Sequence, residues 1–337
     1  MGNSFFTIVQ YGGEATRGTA VAADRIWPGQ TGTKVLSDSK PTFVEEQNNV
    51  RTMNRRVVVY QKLYRNNLTS AHTTFQQMLL PLQCGLKGSV AGSEQTAGQS
   101  DFLYDFTPSL TAANSPLSVT MELGDDVQFW ESEYCMFDKI TLSGSIDQEG
   151  GDAPVALDAG FFGRQLATTT KTGALSLASG EFMNAKLARL YLDTAWAGVG
   201  GTELSNLLRS WQIEILTGVH PDSTGSATNT FNAHKEGIIS VMGTFTIEGG
   251  TTANTLLGLQ QAGTFRVARL AINGSQIGSG DTHNLTIDFG GMFEAVDPID
   301  SEDRGDNLAT FSLRGTYDAT GAKMLAVNLT TDTDAWS

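Results

Sequence analysis

The chain has 337 residues, 40% of them hydrophobic and 17% charged, a balance that suits folded domains and argues against disorder. Acids outnumber bases 36 to 22, giving a formal charge of -14; this excludes a surface-wide grip on nucleic-acid phosphates, because that affinity comes from Lys and Arg. At about 150 residues per domain, the length predicts two domains.

The opening Met1-Gly-Asn-Ser-Phe-Phe lacks the basic and apolar regions of a secretory signal, and Phe6 breaks the myristoylation pattern. With no apolar run near the length a spanning helix needs, the expected site of synthesis is a cytoplasm. Residues 28–56 read as a long polar loop that carries Arg51, Arg55 and Arg56. Long loops inside compact domains are uncommon unless they work, so an arm reaching a neighbour stands beside the plain reading of a surface loop. Around 68–83, Ala71, Phe75, Met78, Leu79 and Leu82 fall at helical spacing, with Pro81 expected to kink or end the helix.

Strand patterning follows. Leu117, Val119, Met121 and Leu123 alternate with polar residues, as do Ile140 and Leu142, and in the second half Ile239, Val241, Phe245 and Ile247. Leu285, Ile287 and Phe289 repeat the pattern, and so do Leu325, Val327 and Leu329. Period two predicts strands with one buried and one wet face, as in antiparallel sandwiches or barrels. The small polar stretch 166–184 is the natural junction, which gives domains 1–180 and 181–337. Residues 219–236 read as a second long loop, and 251–262 as a second helix capped by Thr251 or Thr252. One helix per set of strands suggests one fold used twice; Ile140-Thr-Leu-Ser-Gly and Leu285-Thr-Ile-Asp-Phe-Gly match in type, which convergent strand composition would also produce.

No catalytic, metal or cofactor signature emerges. Cys84 and Cys135 form no metal-ligand spacing and read as buried thiols. Ser37-Asp-Ser-Lys40 and Lys171-Thr-Gly173 match fragments of the serine β-lactamase pattern, but the third motif is missing and Ser37 does not open a helix. Gly124-Asp-Asp126 follows a strand directly and reads as a turn before it reads as a carboxylate pair. His72, His220, His234 and His283 lack metal-binding spacing. The chain is therefore read as no enzyme, with no catalytic, cofactor or metal residues. The cluster Arg51, Arg55, Arg56, Lys62 and Arg65 reads as ordinary charged surface, as a phosphate contact, or as candidate inter-subunit contacts, above all Arg51, Arg55 and Arg56, with the acidic runs 122–138 and 294–306 as partners on another copy.

Several stretches resemble the tail tube (major tail) proteins of long-tailed, siphovirus-type bacteriophages: Arg17-Gly-Thr-Ala-Val-Ala-Ala23, Phe137-Asp-Lys-Ile-Thr-Leu-Ser-Gly-Ser145, Val155-Ala-Leu-Asp-Ala-Gly-Phe-Phe-Gly-Arg164, Lys186-Leu-Ala-Arg-Leu-Tyr-Leu-Asp193 and Trp211-Gln-Ile-Glu-Ile-Leu-Thr-Gly218. The resemblance implies a mainly β chain of two tandem β-sandwich or β-barrel tail-tube-like domains, each with a flanking α-helix. It implies a structural virion protein, made in the host cytoplasm, that self-assembles into stacked rings forming a hollow tube with an acidic lumen for DNA. Rings of three chains, or of six, are both open. Tape measure, tail terminator and tail-tip proteins are the implied further partners, with passing DNA held only transiently and no membrane. A two-domain β-sandwich binding module, a virion adhesin or receptor-binding protein, is the alternative; it predicts exposed aromatics such as Trp27, Trp130, Trp196 or Trp336.

Overall fold

A computed structural model describes residues 7–29, 40–44, 56–146, 151–225, 229–303 and 305–334. The first half runs β1 (Ile8–Gly13), β2 (Arg25–Ile26), β3 (Lys40–Val44), β4 (Arg56–Gln61), β5 (Leu63–Ser70), a helical run over 76–86 containing α1 (Leu79–Pro81), β6 (Ser93–Glu94), β7 (Phe102–Asp105), β8 (Val119–Gly124), β9 (Phe129–Ser145), β10 (Val155–Arg164) and β11 (Ala167–Thr169). The second half runs β12 (Ala188–Asp193), β13 (Leu208–Leu216), β14 (Val219–Asp222), β15 (Ala233–Glu236), β16 (Ser240–Glu248), α2 (Thr251–Gln261), β17 (Arg266–Gln276), β18 (Thr282–Asp303), β19 (Asp306–Gly315) and β20 (Leu325–Thr331). The protein is mainly β and antiparallel, as the alternation predicts.

Two long strands organise it. β9 pairs β8 and β11 through its first part, then β10 and β13 through its second. β18 pairs β17 and β20 through its first part, then β19. Each strand thus turns from one layer into another. One layer is the row β5-β10-β9-β13-β16-β19-β18, which crosses the expected boundary near residue 180. The others are β2-β1-β8-β9-β11 and β12-β17-β18-β20-β7-β6. Their apolar faces meet in one core, where the rings of Phe245, Phe289, Phe293 and Phe311 pack in stacked, tilted and edge-on pairs at centroid separations of 5.3 to 6.4 Å.

The pairing scheme occurs twice. β1·β8, β8·β9, β9·β11, β9·β10 and β5·β10 in the first half correspond, in chain order and direction, to β12·β17, β17·β18, β18·β20, β18·β19 and β16·β19 in the second. A helical segment lies between β5 and β8, and another between β16 and β17. A two-stranded hairpin precedes β5 (β3–β4) and another precedes β16 (β14–β15). Even the bulges agree. β9 skips Asp138 in its pairing with β10, and β18 skips Glu294 in its pairing with β19; a Met-Phe pair precedes each, Met136-Phe137 and Met292-Phe293. A bulge swings a strand and re-aims its side chains, so this shared position gives both strands the same bend. The equivalent segments are therefore these, and not the Ile140 and Leu285 stretches matched by sequence.

Three local expectations change. Residues 63–70 are strand, because they pair with β10; the helical run starts only at Gln76 and passes from 3₁₀ to α to a π turn ending at Leu86. Its α part stops at Pro81, where the ring removes a donor. α2 begins at Thr251, but its N-cap is Gly250 and no side chain caps it. β8 was expected to have one wet face; both faces are buried, because segment 14–24 and Thr172 cover Thr120 and Glu122.

Candidate assembly surface

The seven-strand layer has one face in the core and one in solvent, except at Met136 and Phe162, which a satellite core covers. Partners across the register share a face. On the outer face stand Thr141, Ser143, Gln212, Glu214, Thr244, Thr246, Thr310 and Ser312, opposite in sense to Ile140, Leu142, Ile213, Phe245 and Phe311, which are buried. The cations on this face are ion-paired: Arg65 to Asp138 at 2.7 Å, Lys139 to Glu214 at 3.0 Å and Arg314 to Glu294 at 2.8 Å. Arg209, at its border, pairs with Glu248. The hydrogen bond that Lys139 donates to Glu214 raises the lysine pKa further, fixing it as the charged partner. Surface pairs of this kind add little stability. Their effect here is to cancel positive charge, leaving hydroxyls, amides and the carboxylates of Asp158 and Asp297 to set the face.

The edges of the layer differ from its interior. β5 has a strand neighbour on one side, β10, and β18 beyond Gly291 has β19 on one side, among the described residues. In the first half the corresponding edge of β9, Lys139–Ser145, is covered by β13 from the second half. An uncovered strand edge is a template for another chain.

The region 219–236, expected as a loop, is the hairpin β14–β15 with its connection, and it docks within the chain. Glu236 accepts hydrogen bonds from the backbone N–H groups of Asn114 (2.7 Å) and Ser115 (2.9 Å). Phe231 is 1% exposed and packs with Phe162, Met136, Tyr134, Leu63 and Val219 in a satellite core. Arg164 closes the site: its guanidinium lies over Tyr134 (5.1 Å) and Phe231 (5.9 Å), its Nε donates to the Phe231 carbonyl, and it pairs with Glu133 at 2.8 Å. His234 Nδ1 lies 3.1 Å from the Tyr134 hydroxyl. Burial, with Arg17 assisting, lowers the His234 pKa. A histidine depressed by folding stabilises the fold where it is neutral, and that stability is lost as pH falls through the unfolded value, about 6.5. Hydrogen exchange in residues 219–236 is expected to accelerate on moving from pH 7.5 to pH 5.5, after correction for intrinsic rates, and His234→Gln is expected to remove that pH dependence.

Of the predicted contact residues, Arg56 opens β4 and is exposed, while Arg51 and Arg55 lie outside the described residues. Arg65 is committed to Asp138. The acidic run 122–138 is only partly available: Glu122 is buried, taking N–H and O–H groups of Ala23 and Thr172, Glu133 and Asp138 are ion-paired within the chain, Asp125 and Glu131 are half-buried, and Asp126 is exposed. The run 294–306 is largely exposed. Gly124-Asp-Asp126 is the β8–β9 turn, where Asp125 accepts from the N–H groups of Val127 and Gln128. Thr172 of the Lys171-Thr-Gly173 match serves Glu122, and Ser37 lies outside the described residues. Cys84 and Cys135 are buried free thiols whose pKa burial drives upward, Cys135 to about 12. Trp27 is buried in the core, Trp130 and Trp196 are half-buried, and Trp336 lies outside the described residues. No helix of the described residues is long and apolar enough to cross a membrane. The hairpin site went unread in the sequence because its residues come from separated segments; the Met-Phe-acid repeat was the signal that was available. Compared with known proteins, the sequence matches no family model and no curated protein.

Proposed function

We propose that the chain is a tail tube subunit of a siphovirus-type phage, a structural virion protein that closes laterally into rings and stacks them into a hollow tube for DNA. The reading rests on one observation above the rest: the edge of β9 beyond its bulge carries a strand from the next repeat, and the equivalent edge of β18 carries none among the described residues. A strand from the first half of a second copy completes the pattern. The contact is head-to-tail, and head-to-tail contacts that close make rings. Closure removes the exposed edges. With two repeats per chain, three chains make a ring of six units; six chains remain the alternative. The outer face of the seven-strand layer, away from the two rows at its bulges, then lines the lumen, where hydroxyls, amides, the Lys139–Glu214 pair and the carboxylates of Asp158 and Asp297 give passing DNA nothing to bind. Tape measure, terminator and tail-tip proteins would meet the ends of such a tube.

Negative-stain electron microscopy of the concentrated protein, with native mass measured in parallel, tests the reading. Hollow rings or tubes are expected, with a ring mass of three times the 36.0 kDa chain. Particles that remain single chains at every concentration would sink it.

A further inference from the structure

The internal repeat exposes a hairpin and a socket that lack each other. In the first half, Arg65, Phe162 and Met136 stand side by side across β5, β10 and β9, just before the Asp138 bulge. Phe162 and Met136 are fully buried there, because the segment joining β14 to β15, with Val219 of β14, covers them: Phe231 meets Phe162 at 5.6 Å between ring centroids. The same row in the second half is Met242, Arg314 and Met292 across β16, β19 and β18, just before the Glu294 bulge. Met242 is 36% exposed and Met292 45% exposed. The hairpin of the first half, β3–β4, is the counterpart of β14–β15. It carries Phe43 directly opposite Val57, and these are 56% and 54% exposed. Such a cross-strand apolar pair is the unit by which a hairpin face packs.

We propose that the β3–β4 hairpin of one copy docks on the Met242–Arg314–Met292 row of a second copy, repeating between chains the contact that β14–β15 makes within one. The occupant is a second copy because the internal contact already shows a hairpin of one repeat seated on the row of the adjoining repeat. The proposal rests on self-association as read above, and not on the tube being hollow.

Two full-length single-cysteine additions test it, Phe43→Cys and Met292→Cys; the native thiols are buried and do not interfere. Mixed under mild oxidation, the two variants are expected to form a disulfide-linked dimer that neither forms alone. Phe43→Asp is expected to raise the concentration for half-assembly at least about tenfold, with Phe43→Leu close to wild type. Failure of the mixture to cross-link, while wild-type protein assembles, would overturn the hairpin contact and leave the tube reading standing. Cross-linking on mixing, with wild type confined to small closed particles, would uphold the contact and remove the tube. A wild type that never self-associates would overturn both.

Discussion

Glu14→Ala is expected to destabilise the protein by about 3–5 kcal/mol, read as a lower urea midpoint with little change in slope. The side chain is buried and accepts four hydrogen bonds. Oε2 takes the N–H of Gly18 (2.8 Å) and the hydroxyl of Ser118 (2.6 Å); Oε1 takes the hydroxyl of Thr120 (2.9 Å) and the N–H of Tyr134 (2.8 Å). Ser118 and Thr120 are themselves buried, so truncation strands their donors, each at about 1–3 kcal/mol. Tyr134 matters most, because it lies where β9 turns from its β8 partner toward β10, with φ at +58°. A bulky residue in that region costs about 1–3 kcal/mol, and its surroundings must hold it there. Glu14 grips its amide while Arg164 and Phe231 grip its ring. Glu14→Gln separates shape from chemistry. It keeps the volume but turns one acceptor oxygen into a donor that faces N–H or O–H groups, so a loss of about 2 kcal/mol is expected. A midpoint unchanged in both variants would show that the corner of β9 stands without this carboxylate.

The alternation of apolar residues carried most of the fold class, because each strand of the seven-strand layer keeps one face in the core. It failed at β8, where Glu122 and Thr120 are polar yet buried; their partners, Ala23 and Thr172, come from distant segments, and only the folded chain brings them near. It failed again at Ser70, where helical spacing continued backward across residues that β10 captures as strand. Tertiary pairing overrides local periodicity in such cases. The duplication was legible in principle, in Met136-Phe137-Asp138 and Met292-Phe293-Glu294, but three residues weigh little until the shared bulge gives them a common role. The assembly surface was less legible still. Whether Phe162 or Met292 is covered depends on which hairpin lies over it, and that is a property of packing between repeats.

The two repeats solve their common corner differently, which sets the second large effect. Where β9 uses Tyr134 and Cys135, β18 uses Gly290 and Gly291. A Cβ at Gly291 would fall 1.9 Å from the Arg314 carbonyl oxygen and 2.7 Å from its carbon. Both are backbone atoms in the adjacent strand β19, so no rotamer change can relieve the overlap; β18 and β19 must separate. Gly291→Ala is therefore expected to cost at least about 3 kcal/mol, and Gly291→Val to yield insoluble protein. The consequence reaches beyond stability. The separation falls next to Met292 and Arg314, the row proposed to receive the neighbour's hairpin, and at the root of the strand whose edge would continue the layer into the next chain. A folded Gly291→Ala protein, recovered at low temperature, is expected to remain a single chain at concentrations where wild type assembles, as sedimentation velocity would show. Wild-type assembly by that variant would mean that the second half of β18 takes no part in joining copies. Loss of assembly together with a retained near-ultraviolet circular dichroism spectrum would place the defect at the β18–β19 seam.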